Sequence, residues 1–226
     1  MRAPTLKNAV LLVTLFASAG ARAEEPASAS PTPSTNSAWC SRAWQSEDGL
    51  PGNTVVGVAQ TPDGFLWVAT ASGLVRFDGV RFQETAPSRN PTAAFLADRR
   101  GRLWLGKRTP TLSGEVVCLD AGKTRVFTTE DGLTDAGVQG MAEDGEGAIW
   151  TSGGGPSCRI RDGRCTVFSS EAGLPAAGGM LYLASDSRGQ LWFARGSQVG
   201  VYRGSKFRTL LTLKESAVPH NSWVNW

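Results

Sequence analysis

The strongest constraint on this chain is an internal repeat. Residues 44–82, WQSEDGLPGNTVVGVAQTPDGFLWVATASGLVRFDGVRF, hold one complete unit. A turn segment, Glu47-Asp48-Gly49-Leu50-Pro51-Gly52-Asn53, leads into an alternating apolar run at 55–59. The polar turn Thr61-Pro62-Asp63-Gly64 precedes a second run at 65–69, Ser72-Gly73 precedes a third at 74–77, and Asp78-Gly79 precedes the last at 80–82. Four short runs joined by turn residues predict a four-stranded antiparallel meander, with Asp78-Gly79 as a two-residue hairpin turn.

The unit recurs three more times. A Gly-x-(Leu/Ile)-Trp corner stands at Gly64–Trp67, Gly101–Trp104, Gly147–Trp150 and Gly189–Trp192, with the tryptophans 37, 46 and 42 residues apart. A closing Phe recurs at Phe82, Phe127, Phe168 and Phe207, and a hairpin glycine at Gly79, Gly122, Gly163 and Gly204. A period of about 42 residues with four strands per unit is the pattern of a β-propeller blade. One meander cannot bury both of its faces, but radial stacking lets each blade cover its neighbour. The predicted blades are 44–82, 83–127, 128–168 and 169–207, with the start of a fifth at 208–226. Pro219-His220-Asn221 aligns there with Pro51-Gly52-Asn53. An all-β propeller with a ring still incomplete at Trp226 follows as the expected fold, and an open fan of this kind is expected to be poorly soluble or oligomeric.

Three corners carry an Asp six residues before the Trp, namely Asp98, Asp144 and Asp186, and the first carries Thr61 instead. An Asp there accepts backbone N–H groups across the turn, and the Trp supplies a large apolar area between blades. Because the same residues recur in every unit, their expected role is structural rather than ligand-binding.

The first unit resembles the repeat of the two-component regulator propeller family, written around Gly-Leu-Pro-x-Asn-x-Val, an Asp/Gly-rich turn, Leu-Trp-(Val/Ile)-(Ala/Gly)-Thr and Gly-Leu-x-Arg-Phe-Asp-Gly. The later units depart from it. The second lacks the Gly-Leu opening, the third reads Trp150-Thr151-Ser152, and the fourth has Arg195 where the repeat has Thr. The resemblance implies a periplasmic, ligand-binding sensor region of a histidine kinase or hybrid sensor. It also implies a ring of about seven blades, a downstream membrane helix, a kinase module and a homodimeric parent.

Residues 1–23 carry Arg2 and Lys7, an apolar run at 9–17 and Ala21-Arg22-Ala23, which reads as a secretory signal peptide. The run is too short to span a bilayer comfortably. The formal net charge of +3 belongs to this segment, because the remaining residues carry 20 basic and 20 acidic side chains. Nucleic-acid affinity is therefore not expected. Residues 24–38, EEPASASPTPSTNSA, read as a disordered leader, and Trp39 and Trp44 as a strand packing on the propeller.

Four cysteines in an exported chain raise the question of disulfides. If Asp162-Gly163 is a hairpin turn, Ile160 faces Cys165 and Cys158 lies diagonally on the same face. That arrangement is near the Cα separation of about 7 Å that a bridge tolerates. Cys40 and Cys118 have no reason in the sequence to meet. Zinc is disfavoured, since there is no CxxC pair and His220 is the sole histidine. No nucleophile–His arrangement, P-loop or dinucleotide fingerprint occurs, and no cofactor or metal is expected.

The Asp-containing corners also resemble those of sialidases, so a propeller glycosidase or lyase using Tyr182 or Tyr202 stands as an alternative. A secreted interaction scaffold stands as another. The ligand, a glycan or other small molecule, is expected at loops where the blades differ most. These are Lys107-Arg108-Thr109-Pro110-Thr111 and Gly153-Gly154-Gly155-Pro156. The basic cluster Arg99, Arg100, Arg102, Lys107 and Arg108 reads as a solvated rim, with an anion site as the rival reading.

Overall fold

The computed structural model describes residues 42–85, 91–108, 114–176 and 179–213. The signal segment, leader, Trp39, Cys40, Thr109-Pro110-Thr111 and His220 lie outside them. The described chain forms four four-stranded antiparallel sheets, each a simple meander. The first blade is β1 (Val55–Gln60), β2 (Leu66–Thr70), β3 (Gly73–Phe77) and β4 (Phe82–Glu84). The second is β5 (Thr92–Ala97), β6 (Leu103–Arg108), β7 (Gly114–Asp120) and β8 (Lys123–Phe127). The third is β9 (Gly140–Glu143), β10 (Ile149–Ser152), β11 (Ser157–Arg161) and β12 (Arg164–Phe168). The fourth is β13 (Leu181–Ser185), β14 (Leu191–Arg195), β15 (Gln198–Arg203) and β16 (Lys206–Thr212). First strands neighbour one another from blade to blade, β1 beside β5, β5 beside β9 and β9 beside β13. That is propeller stacking with β1, β5, β9 and β13 innermost.

Three apolar clusters sit at the three junctions. Ala69 and Leu74 meet Leu103 and Leu105 between the first and second blades. Trp104, Val116 and Phe127 meet Ile149, Cys158 and Ile160 between the second and third. Trp150 meets Leu181, Phe193 and Phe207 between the third and fourth. Each blade is thus a two-faced wedge whose core is shared, as a repeat with no private core requires.

The outer hairpins depart from the expected uniform turn. In the last three blades two residues close the hairpin, Ala121-Gly122, Asp162-Gly163 and Gly204-Ser205, all at positive φ. This type I′ geometry matches the right-handed strand twist. The first blade instead pairs Phe77 with Phe82 across four residues. Asp78 Oδ1 accepts the N–H groups of Val80 and Arg81, both at 2.9 Å, so the chain wraps around the carboxylate and β4 begins at Phe82 rather than Val80. The outer strand of the fourth blade runs to Thr212, past the predicted boundary at 207, through a bulge beside Gly200.

Short 3₁₀ turns, Ser46–Asp48, Thr129–Asp131 and Ser170–Ala172, precede the first, third and fourth blades, and each ends on a left-handed glycine. A Cβ on Gly173, at φ +86°, would stand 2.3 Å from the carbonyl oxygen of Phe207, so only glycine fits. Residues 42–45 carry no strand. Trp44 nevertheless packs edge-on to Phe77 at 5.5 Å and Phe82 at 6.4 Å. Phe168, the last residue of the third blade's outer strand, packs the same way on Tyr202 at 5.5 Å and Phe207 at 6.2 Å. Trp44 therefore holds, against the first blade, the position of a preceding blade's closing aromatic.

Candidate functional site

The four corners form one device. Asp98 Oδ1 accepts from the N–H groups of Arg100 and Arg102, while Oδ2 accepts the Trp104 indole N–H at 2.9 Å. Asp144 does the same with Glu146, Ala148 and Trp150, the last at 2.7 Å. Asp186 repeats it with Arg188, Gln190 and Trp192 at 3.1 Å. In the first blade Thr61 Oγ1 accepts from Trp67 at 2.9 Å and donates to Asp63, which takes over the second part of the Asp role. The turns consume these polar groups, and Trp104 and Trp150 are also closed into the junctions with the following blade.

Polar contacts reinforce the same end of the propeller, one across blades and two within a blade. Arg99 pairs with Glu143 at 3.2 Å and donates to the Asp144 carbonyl. Arg102, partly exposed, pairs with the buried Asp98 carboxylate at 2.6 Å. Arg159 bridges Asp144 at 3.2 Å and Glu146 at 2.7 Å, and this contact holds the Glu146 carboxyl below its ordinary range. The sequence cluster of five cations therefore does not form one patch. Arg99, Arg100 and Arg102 sit at the corner, whereas Lys107 stands at the far end of β6, buried, with its ammonium donating to Thr92 Oγ1 at 2.7 Å. Burial pulls the Lys107 pKa down.

Between the second and third blades lies a groove of about 600 Å³. Trp104, Phe127 and Ile160 give it an apolar floor, and Arg100, Lys123 and Arg125 line its walls. The Arg125 guanidinium lies 4.6 Å over Phe127 and donates to the Gly163 carbonyl at 2.6 Å. Asp120 and Asp162 interleave with these cations, so the groove is amphipathic and of mixed charge. Sequence reasoning did not find it. The signal available was the alternation of charge on the outer hairpins, Asp120 to Arg125 and Arg161 to Arg164, which becomes a site only when neighbouring blades are stacked.

Of the expected loop sites, Gly153-Gly154-Gly155-Pro156 is described. The Arg195 guanidinium donates to the carbonyls of Gly154 at 3.1 Å and Gly155 at 3.5 Å, so the fourth blade's departure from Thr reaches back onto the third blade's loop. Tyr202, half-buried, packs into the junction at 4.5 Å from Trp150. Tyr182 is 65% exposed on the uncovered face of the fourth blade, the face that also carries Trp192. The two tyrosines thus sit on opposite sides of the blade and share no site. Among the described residues no group of three His, Cys, Asp or Glu is arranged to hold a metal. No described helix is long and apolar enough to cross a membrane. Cys118, Cys158 and Cys165 are free thiols, and Ile160 stands opposite Cys165, which leaves Cys158 diagonal to it.

Comparison with known proteins agrees with this architecture. Residues 49–72 match the model of the two component regulator propeller family. This segment runs from the Gly-Leu-Pro opening through β2 to the turn before β3. The extracellular domain assigned to the hybrid two component system BT4673 of B. thetaiotaomicron superposes with a TM-score of 0.58 at 19% identity, over 75% of this chain and 23% of that one. The corresponding domain of BT3049 gives 0.55 at 20% identity, over 67% and 22%. Catalytically inactive virginiamycin B lyase from Staphylococcus aureus, solved with quinupristin, gives 0.56 at 18% identity, over 71% and 57%. These likenesses establish a β-propeller fold. The chain spans less than a quarter of the two sensor chains and little more than half of the lyase chain. No curated protein matches it by sequence.

Proposed function

We propose that this chain is propeller from an exported, ligand-binding sensor region of a two-component signalling protein, itself non-catalytic, whose parent carries a membrane helix and a histidine kinase. The observation that carries this reading is the family match at residues 49–72 on a chain that continues as four blades. The polar groups of the corners are spent on holding blades together, which leaves the blade ends and the interblade groove to contact a small molecule such as a glycan. Signalling then requires a ligand that binds two arrangements of the parent homodimer with different affinity, because the equilibrium shifts only by that difference.

The test reads the source gene beyond the codon for Trp226. Further Gly-x-Leu-Trp units, a membrane span and a kinase in frame support the sensor. A stop codon with no adjacent kinase gene overturns it and favours a secreted scaffold. Glycan-cleaving activity lost on Tyr182→Phe would favour the enzyme instead.

A further inference from the structure

We infer that Cys158 and Cys165 are a modification site, oxidised to an intrablade disulfide that staples β11 to β12 when the chain matures outside the cytoplasm. The inference rests on export, which residues 1–23 predict, and not on sensing.

The strands place the two thiols together. In the β11–β12 ladder Ile160 pairs with Cys165 and Cys158 with Val167, so both cysteines project from one face, two positions apart along the strand. Cys165 packs against the apolar cluster that contains Cys158, and each thiol perturbs the other's ionisation. The third described cysteine, Cys118, lies on β7 of the preceding blade, opposite Trp104 and Arg125, and meets Cys158 only as a member of the same apolar cluster between blades.

The hairpin is also where a staple has purpose. Apart from half-buried Cys165 and Phe168, β12 is exposed along its length, at the outer edge of its sheet. Besides Phe168, packed on Trp150 and Tyr202, the hairpin is held by the neighbouring blade's Arg125, bonded to Gly163, and by the opening turn at Gly132, whose carbonyl accepts from Cys158 Sγ at 3.7 Å.

The burial difference sets the order of events. Cys165 is half-buried and Cys158 is fully buried. The Cys165 thiolate attacks a sulfur of a protein disulfide, the oxidant, and forms a mixed disulfide while releasing one thiolate of that partner. The Cys158 thiolate then attacks Cys165 Sγ, forms the internal S–S bond and releases the partner's second sulfur. The two thiol protons end on the partner, which leaves as a dithiol, and this chain is lighter by two hydrogens. In the folded blade burial pushes the Cys158 thiol up to about 12, so the second step is slow there. Oxidation belongs to the stage before the second and third blades close.

The experiment maps thiols in the full chain produced with its own leader in a bacterial host. Cells are quenched in acid, free thiols are blocked with N-ethylmaleimide in denaturant, and the unreduced protein is cut with trypsin. The expected result is residues 126–159 joined to residues 165–188, with Cys40 and Cys118 blocked by maleimide. A leaderless copy kept in the reducing cytoplasm gives both peptides unlinked. Leader-cleaved protein with Cys158 and Cys165 both blocked, or either joined to Cys40 or Cys118, overturns the inference. If the leader is not cleaved, the full chain is refolded from reductant and denaturant against glutathione disulfide and mapped in the same way. Absence of the 126–159/165–188 pair there overturns the disulfide independently of export. Cys165→Ser should leave Cys158 blocked by maleimide rather than paired elsewhere.

Discussion

Asp144→Ala should be among the most destabilising single changes in this chain, and the contrast with Asp186→Ala shows why. Both carboxylates accept two backbone N–H groups of the turn and the corner indole, and Asp144 also accepts from Arg159 Nε at 3.2 Å. Asp144 is 5% exposed and its Trp150 is 0% exposed, whereas Asp186 is exposed and its Trp192 is 37% exposed. Removing the Asp144 carboxylate orphans two buried donors, the Ala148 N–H and the Trp150 indole N–H, and takes one of two carboxylates from Arg159. Each buried donor left without a partner costs about 1–3 kcal/mol. The sum is about 4 kcal/mol, which for a domain of this size lowers Tm by about 8–16 °C. Around Asp186 water replaces the carboxylate, so its loss should be clearly smaller. Asp144→Asn should fall between, since an amide oxygen still accepts the backbone N–H groups but its nitrogen cannot accept from Trp150. Thermal melts of the four proteins followed by circular dichroism make the measurement. A double-mutant cycle with Trp150→Phe isolates the indole bond, with an expected coupling of about 1–2 kcal/mol. Equal losses for Asp144→Ala and Asp186→Ala would refute the reasoning and place the cost in the turn itself rather than in orphaned buried donors.

Trp150→Ala should cost about 3–5 kcal/mol, as for other buried aromatic truncations, and Trp192→Ala much less, read from the same melts. Gly173→Ala should destabilise by more than about 1 kcal/mol, because its Cβ meets the Phe207 carbonyl at positive φ, whereas Gly204→Ala, with open space around it, should cost less. Cys118, buried and with its thiol pushed up to about 11, should react with iodoacetamide at pH 8 at least about 100-fold more slowly in the folded chain than in urea, as followed by mass spectrometry. Backbone N–H donors hold the Asp78 carboxyl below its ordinary value of 3.8, and the Trp192 indole does the same for Asp186. Stability from these groups is complete above that value and is lost as pH falls through the lowered folded pKa. Acid titration of the melt should therefore show a decline beginning near pH 4, shallower in Asp78→Asn.

The blades were legible because each carries its own punctuation. Gly-x-(Leu/Ile)-Trp, the Asp six residues earlier and the hairpin glycine are local signals, and local signals survive without neighbours. The four-residue wrap at Asp78 was not legible, because Asp-Gly serves equally in a type I′ turn, as Asp162-Gly163 does here, and in a loop folded around its own carboxylate. The interblade groove was less legible still. Arg100, Lys123 and Arg125 come from one blade and Gly163 from the next, so their meeting depends on how two wedges stack rather than on any run of sequence.

Burial of the corner tryptophans turns that stacking into an argument about function. Trp104 and Trp150 are closed in by the following blade, and Trp192, with no following blade among the described residues, is the exposed member of the series. The same surface carries Tyr182 and Leu211, 65% and 53% exposed. At the opposite end Trp44 covers Phe77 and Phe82 from the place of a preceding blade's outer strand. The exposed face of the fourth blade therefore repeats the chemistry of the internal junctions, whereas at the first blade Trp44 already fills the equivalent place. In a repeat architecture, stability is close to a sum of blades and nearest-neighbour interfaces. Trp192→Ala, nearly silent in this chain alone, should then cost as much as Trp150→Ala once a further blade is present. Equal, small effects of Trp192→Ala with and without that blade would show that the uncovered face is not an interface.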